Sequence, residues 1–198
     1  MYFLVRAVIV FLLVLIAAVF AIKLRMHTRK WAFVLAALLL GWFLCALPVE
    51  NTVVSFSTPR EAYAYRYPFS GNAPCVVEGK NSALILDEAS FRGTYKVLYR
   101  SSDGWKLPGI WKPLSHTTIR CDGYSIHILK QPQAEEYYVG VVPFKDNTAE
   151  VFDSENSEFC RVTYEHISEA EKCGYYAYID CTDGYILTVN GQSRNLFP

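Results

Sequence analysis

The sequence predicts a mainly β protein, in which a two-helix transmembrane hairpin (residues 1–49) precedes an antiparallel β-meander domain (residues 50–198) with one short N-terminal helix. Charge divides the chain, because residues 1–49 hold five basic and no acidic side chains, whereas residues 50–198 hold fourteen basic and nineteen acidic ones. Two long apolar runs precede this boundary. Short β runs separated by Asp-Gly turns follow it. The two parts are therefore expected to occupy different solvents.

The hairpin is predicted from the two apolar runs and the connector between them. Helices are expected at about residues 2–22 and 31–48, each near the roughly 20 residues that cross a bilayer core. The connector, residues 23–30 (KLRMHTRK), carries four Lys or Arg residues and favours the cytoplasmic side. The prediction is a two-pass cell-membrane protein with both termini outside the cytoplasm and the lipid bilayer as a partner.

Two alternatives to the hairpin are weaker. A cleaved signal peptide would need a small-residue cleavage site after the first run, and positive charge there opposes export. A buried soluble helical pair would need a polar face, which neither run has. One surface of the second run is small (Ala36, Ala37 and Gly41) and would allow close approach of other membrane helices.

The domain is expected to begin with a strand over Thr52–Phe56 and a short helix. Thr58 suits the N-cap, Pro59 the first helical position and Glu61 a capping box, so the helix should run to about Arg66. The further predicted strands are Cys75–Glu78, Ala83–Asp87, Thr94–Arg100, Thr117–Cys121, Tyr124–Lys130, Tyr137–Phe144, Ala149–Phe152, Phe159–Tyr164, Tyr175–Asp180 and Tyr185–Val189.

Three Asp-Gly pairs each lie between two predicted strands: Asp103-Gly104, Asp122-Gly123 and Asp183-Gly184. Asp-Gly is a strong hairpin signal because glycine tolerates positive φ. Each pair therefore predicts a hairpin. The resulting meander is expected to close as a sandwich or a barrel.

Three segments carry a family resemblance: FSTPREA (56–62), VVEGKNSA (76–83) and SDGWK (102–106). They resemble small membrane-anchored extracytoplasmic proteins of unknown function in Gram-positive bacteria. The resemblance covers residues 53–107, and its motifs are structural. It implies a location outside the cytoplasm and no particular activity.

The domain has five cysteines, so at least one cannot be in an intrachain disulfide. Cys173 and Cys181 bracket a predicted strand and would lie about 26 Å apart, which is too far for a bridge. Cys160 and Cys173 flank a connector and could form a disulfide. Alternatively, Cys160, Cys173 and Cys181 are all buried thiols. Cys45, in the second apolar run, is expected to be a small packing residue.

No strong catalytic motif is present, neither a Gly-x-Ser-x-Gly elbow nor a phosphate loop nor His-Glu-x-x-His. A Cys121 nucleophile with His116 or His127 as base is conceivable, as is a zinc site from these three residues. Cys121 is better explained as the strand end before a turn, and the zinc set lacks close-spaced ligand pairs. The acidic run Asp153–Glu158 lacks the glycine of a calcium loop. We therefore expect no catalytic site, no metal and no cofactor.

The domain is acidic, and one stretch concentrates this charge. Residues 146–171 hold eight acidic side chains against Arg161. Nucleic acid is therefore not expected as a partner, since its phosphates require clustered basic residues. The stretch is either a solvated surface or a site for a cation or a basic partner.

Tyrosine provides the candidate binding residues. Strand alternation predicts that one set of residues points inward: Cys173, Tyr175, Ala177, Ile179 and Cys181. Tyr176 and Tyr178 then point outward beside the Tyr137-Tyr138 pair. The four candidate binding residues are Tyr176, Tyr178, Tyr137 and Tyr138.

The function expected from these features is a membrane-tethered extracytoplasmic interaction module. It would bind another envelope or membrane protein, or cell-wall glycan, through the exposed tyrosines. The alternatives are a cell-envelope enzyme with an unrecognised active site and a structural accessory subunit of a membrane complex.

Overall fold

The computed structural model contains a helical segment and a larger β region, as the sequence predicted. The residues it describes are 2–23, 35–41, 49–68, 75–87, 90, 93–107, 114–132, 134–144, 148–164 and 172–197. The helices are α1 (Tyr2–Lys23), α2 (35–41) and α3 (Pro59–Arg66), with a 3₁₀ turn at Val49–Thr52. The strands are β1 (Cys75–Glu78), β2 (Ser82–Leu86), β3 (Lys96–Ser101), β4 (Gly104–Lys106), β5 (Ser115–Arg120), β6 (Tyr124–Gln131), β7 (Glu136–Pro143), β8 (Val151–Asp153), β9 (Cys160–Tyr164), β10 (Lys172–Ile179), β11 (Ile186–Val189) and β12 (Gln192–Asn195).

The described strands form three antiparallel sheets. Sheet A has the order β1-β2-β3-β4, sheet B the order β5-β6-β7-β10-β9, and sheet C the order β12-β11-β8. Only sheet A is a simple meander. The chain leaves sheet B after β7 to form β8 in sheet C, and β10 later inserts between β7 and β9.

Two of the three predicted Asp-Gly hairpins are confirmed. Asp103-Gly104 joins β3 to β4, and Asp122-Gly123 joins β5 to β6, with positive φ at both glycines. The hairpin at Asp183-Gly184 is wrong, because β10 and β11 belong to different sheets. Gly184 has the expected positive φ of 67°. The local turn chemistry is therefore present, but the turn carries the chain from one sheet to another.

The sheets are stacked, and sheet B is the middle layer. One core joins α3 to sheet A through Ala62, Tyr63 and Leu98. The other two cores lie on opposite faces of sheet B, one against sheet A and one against sheet C. The expected sandwich or barrel is therefore replaced by a three-sheet stack in which both faces of sheet B are buried.

The predicted helix after Thr58 is confirmed as α3, together with its capping box. The Glu61 amide donates to Thr58 Oγ1 (3.2 Å), and the Thr58 amide donates to Glu61 Oε2 (3.3 Å). The strand predicted over Thr52–Phe56 is wrong. Phe56 makes only an isolated bridge to Trp105 of β4.

The small surface on α2 packs against α1. Ala37 is buried, and a Cβ added to Gly41 would lie 3.2 Å from a methyl of Val10. The side chains on the outside of this pair are apolar, with Phe11 66% exposed. The small surface is therefore already used within the chain.

The predicted transmembrane hairpin is corrected by the structure. Counted over the described residues, no helix has both the length and the apolarity needed to cross a membrane. On this finding the predicted transmembrane hairpin is wrong, and so is the two-pass cell-membrane location with both termini outside the cytoplasm.

One disulfide joins the edges of two sheets, between Cys75 of β1 and Cys160 of β9. The alternative pairing of Cys160 with Cys173 is therefore wrong, whereas the exclusion of a Cys173–Cys181 bridge is confirmed. Cys173 is a buried thiol and Cys181 an exposed one. Cys45 lies outside the described residues.

Candidate functional site

A cleft opens between sheet A and sheet B, where β1 faces β9 and β10. Its volume is about 780 Å³. Val76, Val77 and Cys160 supply its less polar wall, so the disulfide is part of the lining. The remaining lining residues are polar or acidic: Glu78, Glu155, Ser157, Glu158, Tyr178 and Asp180.

The cleft is strongly acidic, since its lining includes four carboxylates and no basic residue. Two of the four are engaged: Glu155 accepts the amides of Asp180 (3.0 Å) and Cys181 (2.8 Å), and Asp180 pairs with Lys80. Glu78 and Glu158 are exposed and have no hydrogen-bond or ion-pair partner within the described part of the chain. The cleft therefore presents two carboxylates that no residue in the described part of the chain neutralises.

Tyr178 is the one predicted binding residue that lines this cleft. Its ring is half-buried, and its hydroxyl lies 3.5 Å from Asp180 Oδ1. Burial raises the pKa of the Tyr178 phenol, and the charges of Glu136 and Asp180 raise it further. The hydroxyl is therefore kept protonated and can donate a hydrogen bond.

The other three predicted tyrosines lie elsewhere. Tyr176 and Tyr138 are 0% exposed and pack between sheets A and B, so the expected exposed aromatic face is wrong. Tyr137 is half-buried on the opposite face of sheet B, beside Phe197 at 5.2 Å between ring centroids. The binding role of the four residues stays a prediction, but complete burial leaves Tyr138 and Tyr176 with no surface for a partner to contact.

A buried polar network next to the cleft joins sheet A to sheet B. Ser82 Oγ donates to Glu136 Oε2 (2.6 Å) and lies 2.7 Å from the Tyr138 hydroxyl, while the Asn81 amide donates to Glu136 Oε1 (2.6 Å). A Cβ added to Gly79 would lie 2.7 Å from Glu136 Oε2 and 2.9 Å from the Tyr138 hydroxyl, so a larger residue here would displace the network. The network thus holds the β1–β2 turn of sheet A against β7 of sheet B.

A second polar cluster lies on β5 and β6, around two histidines. His116 Nε2 is 2.9 Å from His127 Nδ1, and Ser125 Oγ is 2.9 Å from His127 Nε2. Burial lowers the pKa of His127 to about 4, with the neighbouring His116 as a further cause. Tyr95 contacts both rings.

Cys121 does not join the histidines. It packs with the core between sheets B and C, whereas His116 and His127 contact Tyr95, which packs with the core between sheets A and B. The structure therefore assembles neither the Cys121–His pair nor the three-residue zinc set. In the described part of the chain no group of three or more His, Cys, Asp or Glu residues could hold a metal ion.

The acidic run Asp153–Glu158 does not converge on one point. Asp153 accepts the Ser157 amide (2.8 Å) and the Tyr185 hydroxyl (2.9 Å), while Glu155 and Glu158 line the cleft. These contacts explain the run as a structured connection between β8 and β9. They also show that part of the acidic stretch seen in the sequence forms one side of the cleft.

Comparison with protein-family models, curated proteins and solved structures finds no match to this chain. The resemblance to small membrane-anchored proteins therefore stays an expectation.

Sequence reasoning named Tyr178 and the acidic stretch, but it did not identify the cleft. Glu78 comes from β1, Glu158 from the segment before β9, and Asp180 directly follows β10. These residues are distant along the chain, and no local pattern relates them.

Proposed function

We propose that the chain is a non-catalytic binding module whose acidic cleft holds a positively charged segment of a partner protein. The observation that carries this proposal is the cleft itself, with four carboxylates, no basic lining residue, and Glu78 and Glu158 without partners among the described residues. This retains the interaction role expected from the sequence and moves it away from the buried tyrosines.

The chemistry of the cleft suits lysine or arginine side chains. Both have an apolar stem and a charged head. The stem can lie against Val76, Val77 and the ring of Tyr178, while the head reaches Glu78 or Glu158. Complementary charge across an interface speeds encounter and disfavours partners of like charge. Nucleic acid, with its phosphates, is such a partner.

The walls are held before any partner arrives. The Cys75–Cys160 disulfide ties β1 to β9, and the Ser82–Glu136 hydrogen bond ties the next turn to β7. A site that is already ordered does not have to be ordered on binding, which favours affinity.

A protein segment is a better candidate than cell-wall glycan. Glycan recognition from the sequence relied on an exposed tyrosine face, and two of its four members are fully buried. Carboxylates can accept hydrogen bonds from sugar hydroxyls, but the charge of Glu78 and Glu158 favours a cationic ligand over an uncharged one.

Binding of a fluorescent oligolysine peptide, followed by anisotropy, tests the proposal. The double variant Glu78→Gln/Glu158→Gln keeps the side-chain shapes and removes two charges. We expect it to bind roughly fivefold more weakly, about 1 kcal/mol for exposed ion pairs. Added salt should weaken wild-type binding in the same direction.

The matched control is Glu150→Gln/Asp122→Asn, which also removes two charges. Both residues are exposed and neither lines the cleft, so their replacement should leave the affinity almost unchanged. An equal loss in the control and in the double variant would mean that oligolysine responds only to net charge. That outcome, or absence of binding to the wild type, would reject the proposal.

A further inference from the structure

Three donor atoms lie close together on one face of β5 and β6. His116 Nε2 and His127 Nδ1 are 2.9 Å apart, and Thr118 Oγ1 lies 3.0 Å from the first and 3.3 Å from the second. Strand register produces this triangle: Thr118 is paired with His127, and His116 precedes Thr118 by two residues on the same face.

The ligand type indicates which metal suits the site. Two imidazole nitrogens and a hydroxyl, without a thiolate or a carboxylate, form a nitrogen-rich site, and the affinity of such sites for divalent ions rises from Ni²⁺ to Cu²⁺ and falls again at Zn²⁺. Imidazole nitrogen suits these ions, whereas Ca²⁺ and Mg²⁺ require oxygen ligands.

A buried hydroxyl orients the inner ligand. Ser125, which is 5% exposed, lies 2.9 Å from His127 Nε2 and so directs the other ring nitrogen, Nδ1, toward His116. A hydrogen bond to the far nitrogen of a ligating histidine fixes its ring and raises its affinity for metal. The outer ligands His116 and Thr118 are exposed, which leaves room for water to complete the coordination.

We propose that His116 and His127, with the hydroxyl of Thr118, form a binding site for Ni²⁺ or Cu²⁺. Without metal, one hydrogen bond joins the two imidazoles. With metal, His116 turns and carries its proton on Nδ1, so both facing nitrogens offer lone pairs and no proton is lost. The site shares no lining residue with the acidic cleft, and it differs from the zinc set considered in the sequence analysis by having Thr118 in place of Cys121.

Calorimetric titration of the full chain with NiCl₂, and separately with ZnCl₂, tests the site. His116→Gln is the main variant, because His116 is exposed and its loss should not disturb folding, which circular dichroism will verify. Thr117→Gln is the matched control on the opposite face of β5. Cys181→Ser removes an exposed thiol that could compete for the metal.

We expect one Ni²⁺ ion per chain, bound more tightly than Zn²⁺. His116→Gln should weaken Ni²⁺ binding by roughly tenfold or more, and Thr117→Gln and Cys181→Ser should leave it unchanged. The proposal is overturned if the wild type does not bind Ni²⁺ at about 1 mM, if His116→Gln binds as the wild type does, if Cys181→Ser removes the binding, or if Zn²⁺ binds more tightly than Ni²⁺.

Discussion

Both faces of sheet B carry a buried core, but the two sides differ in what else they hold. The core toward sheet C packs aliphatic residues such as Val139 and Leu187 with aromatic ones such as Tyr124 and Tyr185. The core toward sheet A also mixes aliphatic and aromatic side chains, and on that side lie the buried Ser82–Glu136 hydrogen bond, the disulfide, the cleft and the histidine pair. The interface toward sheet A therefore positions particular atoms through buried polar contacts.

The interface toward sheet A is closely fitted around Tyr176. Tyr176 occupies a space that two glycines leave free, because a Cβ on Gly140 would collide with its ring and a Cβ on Gly174 would lie 2.7 Å from it. Gly140 is the register partner of Tyr176 on β7. The large ring is therefore accommodated by the absence of side chains beside it.

The largest expected effect comes from comparing Tyr176 with Tyr178, which lie two residues apart on the same face of β10. Tyr176→Ala should lower the free energy of unfolding by about 3–5 kcal/mol, as for other large-to-small changes in a core. Tyr178→Ala, at the half-exposed cleft, should cost about 1 kcal/mol. Urea denaturation of both variants measures the difference, and equal losses would show that the two positions are buried alike.

A smaller effect is expected at Ser82. Ser82→Ala removes a hydrogen-bond partner from both Glu136 and Tyr138 in a buried site, which should cost about 1–3 kcal/mol. Ser193→Ala is the control, because Ser193 pairs with Thr188 at 2.8 Å on the exposed surface of sheet C and should cost less than about 0.5 kcal/mol. If the two substitutions lower the free energy of unfolding equally, the polar contacts at the interface toward sheet A do not stabilise the protein more than those on the exposed surface.

The smallest effect concerns acid stability at the outer side of sheet A. Burial would raise the pKa of Asp87, but hydrogen bonds from Lys96, Tyr63 and Ser90 together outweigh it and hold that pKa below its usual value. Since the folded pKa is the lower one, the stabilisation is complete above the unfolded value of 3.8 and is lost as pH falls through the folded pKa.

Thermal melts at pH 6 and pH 3 measure this effect. The wild type should lose more stability on acidification than Asp87→Asn does, by about 1 kcal/mol. Asp122→Asn, in the exposed turn before β6, should behave as the wild type. If the stability of the wild type and that of Asp87→Asn change equally with pH, the stabilising role assigned to the Asp87 carboxylate is wrong.

Elements with a local cause were predicted well. The capping box at Thr58 and Glu61 predicted α3, and β1 has the predicted bounds Cys75–Glu78. Short strands without an alternating apolar pattern were missed, namely β4 and β12, since Gly104–Lys106 and Gln192–Asn195 acquire their strand geometry from the neighbours that pair with them.

The candidate sites were predicted only in part. Alternation along β10 correctly separated Tyr175 and Ala177 from Tyr176 and Tyr178, but it could not say that sheet A would cover Tyr176. His116 and His127 were considered with Cys121, which the structure places against a different core.

The amino-acid sequence by itself therefore determined the mainly β class, the capped helix and the turns at Asp103-Gly104 and Asp122-Gly123. Each of these depends on backbone preferences within a few residues. Only the tertiary structure decided the partners of β10, the burial of Tyr176, and the convergence of Glu78, Glu158 and Asp180 on one cleft. The physical reason is that a period of two defines two faces of a strand, while what covers each face depends on sheets formed by distant parts of the chain.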